Sequence, residues 1–183
     1  FAGTWAPDRV GLSDTTFIAV SDDRNVVGFG EGATAQTGRI FLCCTRNYPV
    51  GGVPPQEGLV LGVSQEIAVT DLINNASERV LGLGLNRDGS LGVARGTQGA
   101  YFFTRDLRLQ GQFTQGVAGG VGGAALHPDH QSVTTSDPVV TLAFIPTANQ
   151  TIKIINTVHF FQSGEIPIRE DVVGPLRAVR PFA

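Results

Sequence analysis

Two imidazoles and a carboxylate fall within one short stretch, His127-Pro128-Asp129-His130. Histidine nitrogens and an Asp carboxylate are donors that suit zinc and similar ions. His127, Asp129 and His130 are therefore the candidate metal ligands of the chain. The same tetrapeptide also reads as a plain turn, because Pro and Asp are ordinary turn residues. It sits where Asn86-Arg87-Asp88-Gly89 sits one unit earlier, between two apolar runs. The third histidine, His159, stands beside Phe160 and Phe161 and reads as a packed or surface side chain. Ser64, Ser90, Ser132 and Ser163 lie in or beside turns without a nucleophile-elbow motif, so no catalytic serine is expected. The carboxylate pairs Asp22-Asp23 and Glu170-Asp171, and the arginines Arg169, Arg177 and Arg180, read as solvated turns and loops. No cofactor is called for. The five glycines between Gly116 and Gly123 lack the Lys-Ser/Thr that a phosphate loop carries into its helix.

The elements that must position these residues are strands. Short runs rich in Val, Ile, Phe and Thr alternate with Gly, Asp, Asn and Pro, which is the punctuation of an all-β chain. Strands are expected at 16–20, 25–29, 39–44, 58–63, 66–71, 79–85, 91–95, 99–104, 110–114, 123–126, 132–135, 139–145, 151–156 and 162–168, with one more opening at 176–180. The best helical stretch, 72–81, contains Asn74-Asn75 and reads equally well as a turn. Asn86-Arg87-Asp88-Gly89-Ser90 is a strong hairpin signal, since Asp-Gly supplies the positive φ that a tight turn needs. Ser21 to Asn25 and His127 to Gln131 occupy similar places.

Repetition is the strongest signal. The stretch 79–114 reads as strand, Asn-Arg-Asp-Gly-Ser turn, strand, Thr-Gln-Gly turn, strand, strand. A second such unit starts at Gly122, with 151–157 answering 100–106 and 162–168 as its fourth strand. Asp88 and Asp129 are 41 residues apart, the period of a propeller blade. Leu83 to Ser90, Ala124 to Gln131 and Ile152 to Ile168 together resemble blades of the YVTN and WD-repeat type of β-propeller, with bacterial secreted propellers the nearest kind. The resemblance spans 79–180 and, less closely, 10–71. The chain departs from it in having no Trp-Asp or Gly-His pair, and its one tryptophan, Trp5, lies outside the repeats.

The fold class expected is all-β and propeller-like, over 1–183 as one domain or a fragment of a larger propeller. Three to four four-stranded blades form a minimal or partial ring. The alternative is a β-sandwich or jelly roll. The resemblance implies a non-catalytic binding or scaffold module, extracellular or at the cell surface, whose partner is a protein or further copies of the chain. Two other readings stand beside it. One is a propeller hydrolase of lactonase type centred on His127, Asp129 and His130; the other is an assembly subunit joined through β edges.

Composition trims the field. Of 183 residues only 16% are charged, and the net charge is −3. Nucleic-acid binding by a basic face is therefore not expected, and no apolar run reaches the length of a membrane span. The chain opens on Phe1 and contains no Met, which reads as a processed product or a fragment. Cys43 and Cys44 are adjacent, so on a strand they point to opposite faces. Asn75 and Asn149 head glycosylation-type triplets that read equally as polar turns.

Overall fold

A computed structural model describes residues 15–22, 26–31, 39–44, 65–68, 80–105, 108–119, 122–130, 141–174 and 176–178. Among these residues there are strands and turns but no helix. The strands are β1 (Thr15–Val20), β2 (Val26–Glu31), β3 (Arg39–Cys44), β4 (Gln65–Ala68), β5 (Val80–Leu85) and β6 (Leu91–Gly96). They continue with β7 (Ala100–Thr104), β8 (Leu109–Phe113), β9 (Ala125–Leu126), β10 (Leu142–Pro146), β11 (Thr151–Asn156) and β12 (Phe161–Pro167). They form three separate antiparallel meanders of four strands, β1 to β4, β5 to β8 and β9 to β12. These are the first, second and third blades. Three sheets of this kind replace the two facing sheets of the sandwich alternative.

The packing follows from the two-residue period of a strand, which sends neighbours to opposite faces. On β7, Tyr101 and Phe103 join Val26, Ile40 and Leu42 of the first blade in one core cluster. Ala100 and Phe102 join Ala143, Ile145 and Ile155 of the third blade in another. The adjacent phenylalanines thus serve two different interfaces, and both are fully buried. Each such ring contributes about 1.5–3 kcal/mol through removal from water. Phe160 packs on the same cluster as Phe102, at 5.1 Å between ring centroids. Its backbone is left-handed, with φ of 54°. A side chain on Gly111 would occupy the place of the Phe160 ring, so the bare glycine opens the slot that holds it.

The beginnings of the blades pack backbone to backbone. A Cβ on Gly82 would lie 2.6 Å from Gly123 Cα, so β5 and the approach to β9 touch where neither has a side chain. Gly123 N then donates to Gly174 O at 3.0 Å. This crowding accounts for a difference from the sequence reading. The strand expected at 123–126 is only Ala125–Leu126, because Gly122 and Gly123 are packed against Val172, Pro146 and Gly82. Its partner is Leu142–Pro146, preceded by Thr141 in a turn, and 139–140 lie outside the described residues. Residues 176–178 are not a strand, in contrast to the one expected to open there. The expected strands at 58–63 and 132–135, most of the 72–81 stretch, and Asn75 lie outside the described residues. Cys43 and Cys44 are neighbours on β3, in register with Val27 and Val26. Asn149 lies exposed in the turn between β10 and β11.

Candidate functional site at the turn end of the blades

The first turn of each blade is built in the same way. Directly after β1, β5 and β9 come Ser21, Asn86 and His127, and each has its amide bonded to the carbonyl that begins the return strand. Ser21 N donates to Val26 O at 3.0 Å, Asn86 N to Leu91 O at 2.9 Å, and His127 N to Leu142 O at 2.8 Å. In the first two turns the side chain closes the ring. Val26 N donates to Ser21 Oγ, and Leu91 N to Asn86 Oδ1, both at 3.0 Å. These buried polar residues satisfy backbone groups that would otherwise be stranded at a strand end. Asp88 folds the tip by accepting from Ser90 N and Ser90 Oγ at 3.1 and 2.7 Å. Gly89 takes φ of +70°.

The turns of the second and third blades also lean on the blade before them. Val26 of the first blade fills the space where a Gly89 side chain would be. At the corresponding place in the third blade stands His130. Its amide donates to His127 O at 2.9 Å, as Gly89 N donates to Asn86 O at 3.2 Å. His130 O accepts from Arg87 N at 2.9 Å, which ties the third blade's turn to the second blade's.

The imidazole of His130 is completely buried. Asn86 Nδ2 lies 3.3 Å from its Nδ1, and Thr157 Oγ1 lies 2.9 Å from its Nε2. The neighbours assign the protons. Asn86 Oδ1 accepts from Leu91 N, so Asn86 Nδ2 is the donor and Nδ1 accepts. Thr157 Oγ1 donates onward to Thr141 O at 2.9 Å, so Nε2 carries the proton and donates to Thr157. The ring is a neutral wedge between the second and third blades. Burial pushes its pKa down from 6.5 to about 4, against the opposing pull of Asp88 and with a smaller push from His127.

The three residues singled out from the sequence are therefore close together, with different jobs. His127 Nδ1 accepts from Asp129 N at 3.1 Å and shapes the turn. His130 spends both ring nitrogens inside the junction, and Asp129 and His127 are half-buried. Among the described residues, no three His, Cys, Asp or Glu side chains are grouped so as to hold a metal ion. His159 is exposed at the turn between β11 and β12, its ring 6.3 Å from that of Phe161. Sequence reasoning missed Asn86, Thr157 and Arg95. For Asn86 a signal existed, since it follows an apolar strand as Ser21 and His127 do. Arg95 had none: it is fully buried on β6 and donates to the carbonyls of Gly96, Gly99 and Val117, pinning the opposite end of the second blade.

What remains for solvent at the turn end is a polar rim. Asp22, Arg87, Asp88, Arg105, Arg108 and His159 are exposed. Arg105 N donates to Ser90 O at 3.2 Å, so the inner and outer turns of the second blade stand side by side.

Comparison with known proteins agrees with this geometry. No family model matches the chain, and no curated protein matches it. Solved structures do. The chain is similar to the RRP9 WD40 repeats, at a TM-score of 0.62 and 13% identity over 90% of this chain and 42% of that one. It is similar to U3-55K at 0.56 and 14%, with 90% and 42% covered. BamB from Moraxella catarrhalis gives 0.54 and 10%, with 84% and 37% covered. The fold is that of a β-propeller. The chain spans less than half the length of each of these propellers. Identities this low carry the fold alone, since propellers host many unrelated functions. Among the described residues no helix is long and apolar enough to cross a membrane.

Proposed function

We propose that the chain is a non-catalytic, protein-binding propeller module that presents the turn end of its blades to a partner. One observation carries this reading. At that end the groups with chemical potential are consumed in holding the turns together, His130 above all, while charged and polar tips are left exposed around them. The second and third blades' turns are bonded to each other through Arg87, Asn86 and His130, and such rigidity in the rim lowers the entropic cost of binding. Its mixed charge, with Arg87, Arg105 and Arg108 beside Asp22 and Asp88, suits a protein surface with both signs rather than a polyanion. The WD40-repeat neighbours support a propeller context for this reading. An extracellular or cell-surface setting belongs to the same proposal, and fractionation of cells that make the protein tests it.

The test is site-specific photocrosslinking. A crosslinker at position 87, on the rim, is expected to capture a defined protein that the double substitution Arg105→Glu, Arg108→Glu abolishes. A crosslinker at Gln98, exposed in the turn between β6 and β7 at the opposite end of the second blade, is expected to capture none. Equal capture from both positions, or none from the rim, overturns the reading.

A further inference from the structure

The second blade is sealed on the side where the third packs against it. Leu91, Val93, Ala100 and Phe102 are all buried there, in one cluster with Ala143, Ile145 and Ile155 of the third blade. The registers locate the same four positions one blade on. Val93 stands opposite Phe102 on β6 and β7, as Phe144 stands opposite Ile154 on β10 and β11. Two residues before each, Leu142 answers Leu91 and Ile152 answers Ala100. All four answering residues are apolar, yet all four are only half-buried. None of them belongs to either core cluster. Ile166, in register with Ile152, is 42% exposed. The third blade thus carries the kind of face that receives a blade.

The chain after β12 repeats the passage that follows β8. After β8, Gly119 N donates to Thr97 O in the β6–β7 turn at 3.2 Å. The chain then brings Gly123 against Gly82 of β5 and enters the inner strand β9. After β12, Ile168 N donates to Gln150 O in the β10–β11 turn at 2.8 Å. Val172 then packs on Gly122, and Gly174 O accepts from Gly123 N at 3.0 Å. Each passage is fastened to the middle turn of its own blade and delivers a glycine beside the inner end of that blade. Beyond Gly174, Leu176 and Ala178 are half-buried with exposed Arg177 between them, the alternation of a strand. Residues 176–178 form no strand because, among the described residues, no return strand runs beside them.

We infer that residues 174–178 open the inner strand of a fourth blade, which the same polypeptide completes and which covers the open face of the third. That strand lies beside β9 as β9 lies beside β5. The return strands of the fourth blade then set small and branched apolar side chains, in the manner of Ala143, Ile145 and Ile155, on Leu142, Phe144, Ile152 and Ile154. A second copy of the chain is the poorer fit, because residues 172–174 of this chain already hold the place beside β9 where the next inner strand belongs. The inference rests on the blade repeat and not on the rim reading; either can fail alone.

The experiment is intact-mass measurement and peptide mapping, under denaturing conditions, of the protein purified from cells that make it. The expected result is one polypeptide heavier than 19.3 kDa, in which at least about 30 residues follow Ala183, enough to complete a blade of the usual period. Hydrogen exchange on that polypeptide is expected to show β10 and β11 as protected as β6 and β7, and at least about tenfold better protected than in the 183-residue chain. A polypeptide that stops at Ala183 overturns the inference, whether it runs alone or as a dimer under native conditions. So does a longer polypeptide in which β10 and β11 still exchange faster than β6 and β7.

Discussion

The second and third blades are built from the same strand pattern and are buried very differently. In the second, all six residues of β6 are buried, and β7 is buried from Ala100 to Phe103. In the third, the corresponding β10 is half-buried at Leu142 and Phe144, and β11 is half-buried at every residue but Ile155. The outer strands β8 and β12 are largely exposed in both blades. The difference is not one of propensity, since both blades have strands rich in β-branched and aromatic residues. It lies in how many neighbours each blade has. A blade is a sheet with two apolar faces, and only a flanking blade on each side removes both from water.

Deleting the same ring from each region gives the largest contrast. Phe102→Ala is expected to cost about 3–5 kcal/mol, because the cavity it leaves is walled by two sheets. Phe161→Ala is expected to cost about 1 kcal/mol or less, because half the ring is already in water. Urea unfolding monitored by fluorescence and circular dichroism measures both. Comparable losses would mean that the third blade is as enclosed as the second.

Acid probes the junction between these two blades. The folded chain holds His130 near 4, whereas an unfolded imidazole titrates near 6.5. Between those values the unfolded chain binds more protons, so stability falls as pH drops. The contribution of the neutral ring is complete above pH 6.5 and is lost by about pH 4, amounting to at most about 3 kcal/mol. Unfolding midpoints across this range measure the slope. His130→Asn is expected to lower stability at pH 7 and to flatten the slope; an unchanged slope would remove His130 from the account.

A smaller effect distinguishes the two turns. Gly89→Ala meets both a left-handed backbone and Val26, and is expected to cost about 1–3 kcal/mol. His130, at the equivalent place, is not left-handed. Changes in thermal midpoint for Gly89→Ala against Gly164→Ala, whose new methyl group would make only ordinary contacts, check it.

Much of this architecture was legible in the chain, for identifiable reasons. The four-stranded units at 79–114 and 122–168 showed through because their inner turns, at Asp88 and Asp129, fall at one blade period. The shortness of β9 was hidden, because it comes from Gly123 packing on Gly82 forty-one residues away. His130 was legible as a titratable side chain in a turn; its partners Asn86 and Thr157 were not, because they come from another blade and another hairpin. Arg95 was illegible for the same reason, its carbonyl partner Val117 being contributed by a distant loop.

Hydrogen exchange resolved by strand tests the central claim, that protection in this chain is set by flanking blades. At concentrations where the chain is monomeric, amides of β6 and β7 should exchange slowest. Those of β11, the counterpart of β7 in the blade with one open face, should exchange faster than those of β7. Uniform protection, or slower exchange in β11 than in β7, would contradict it.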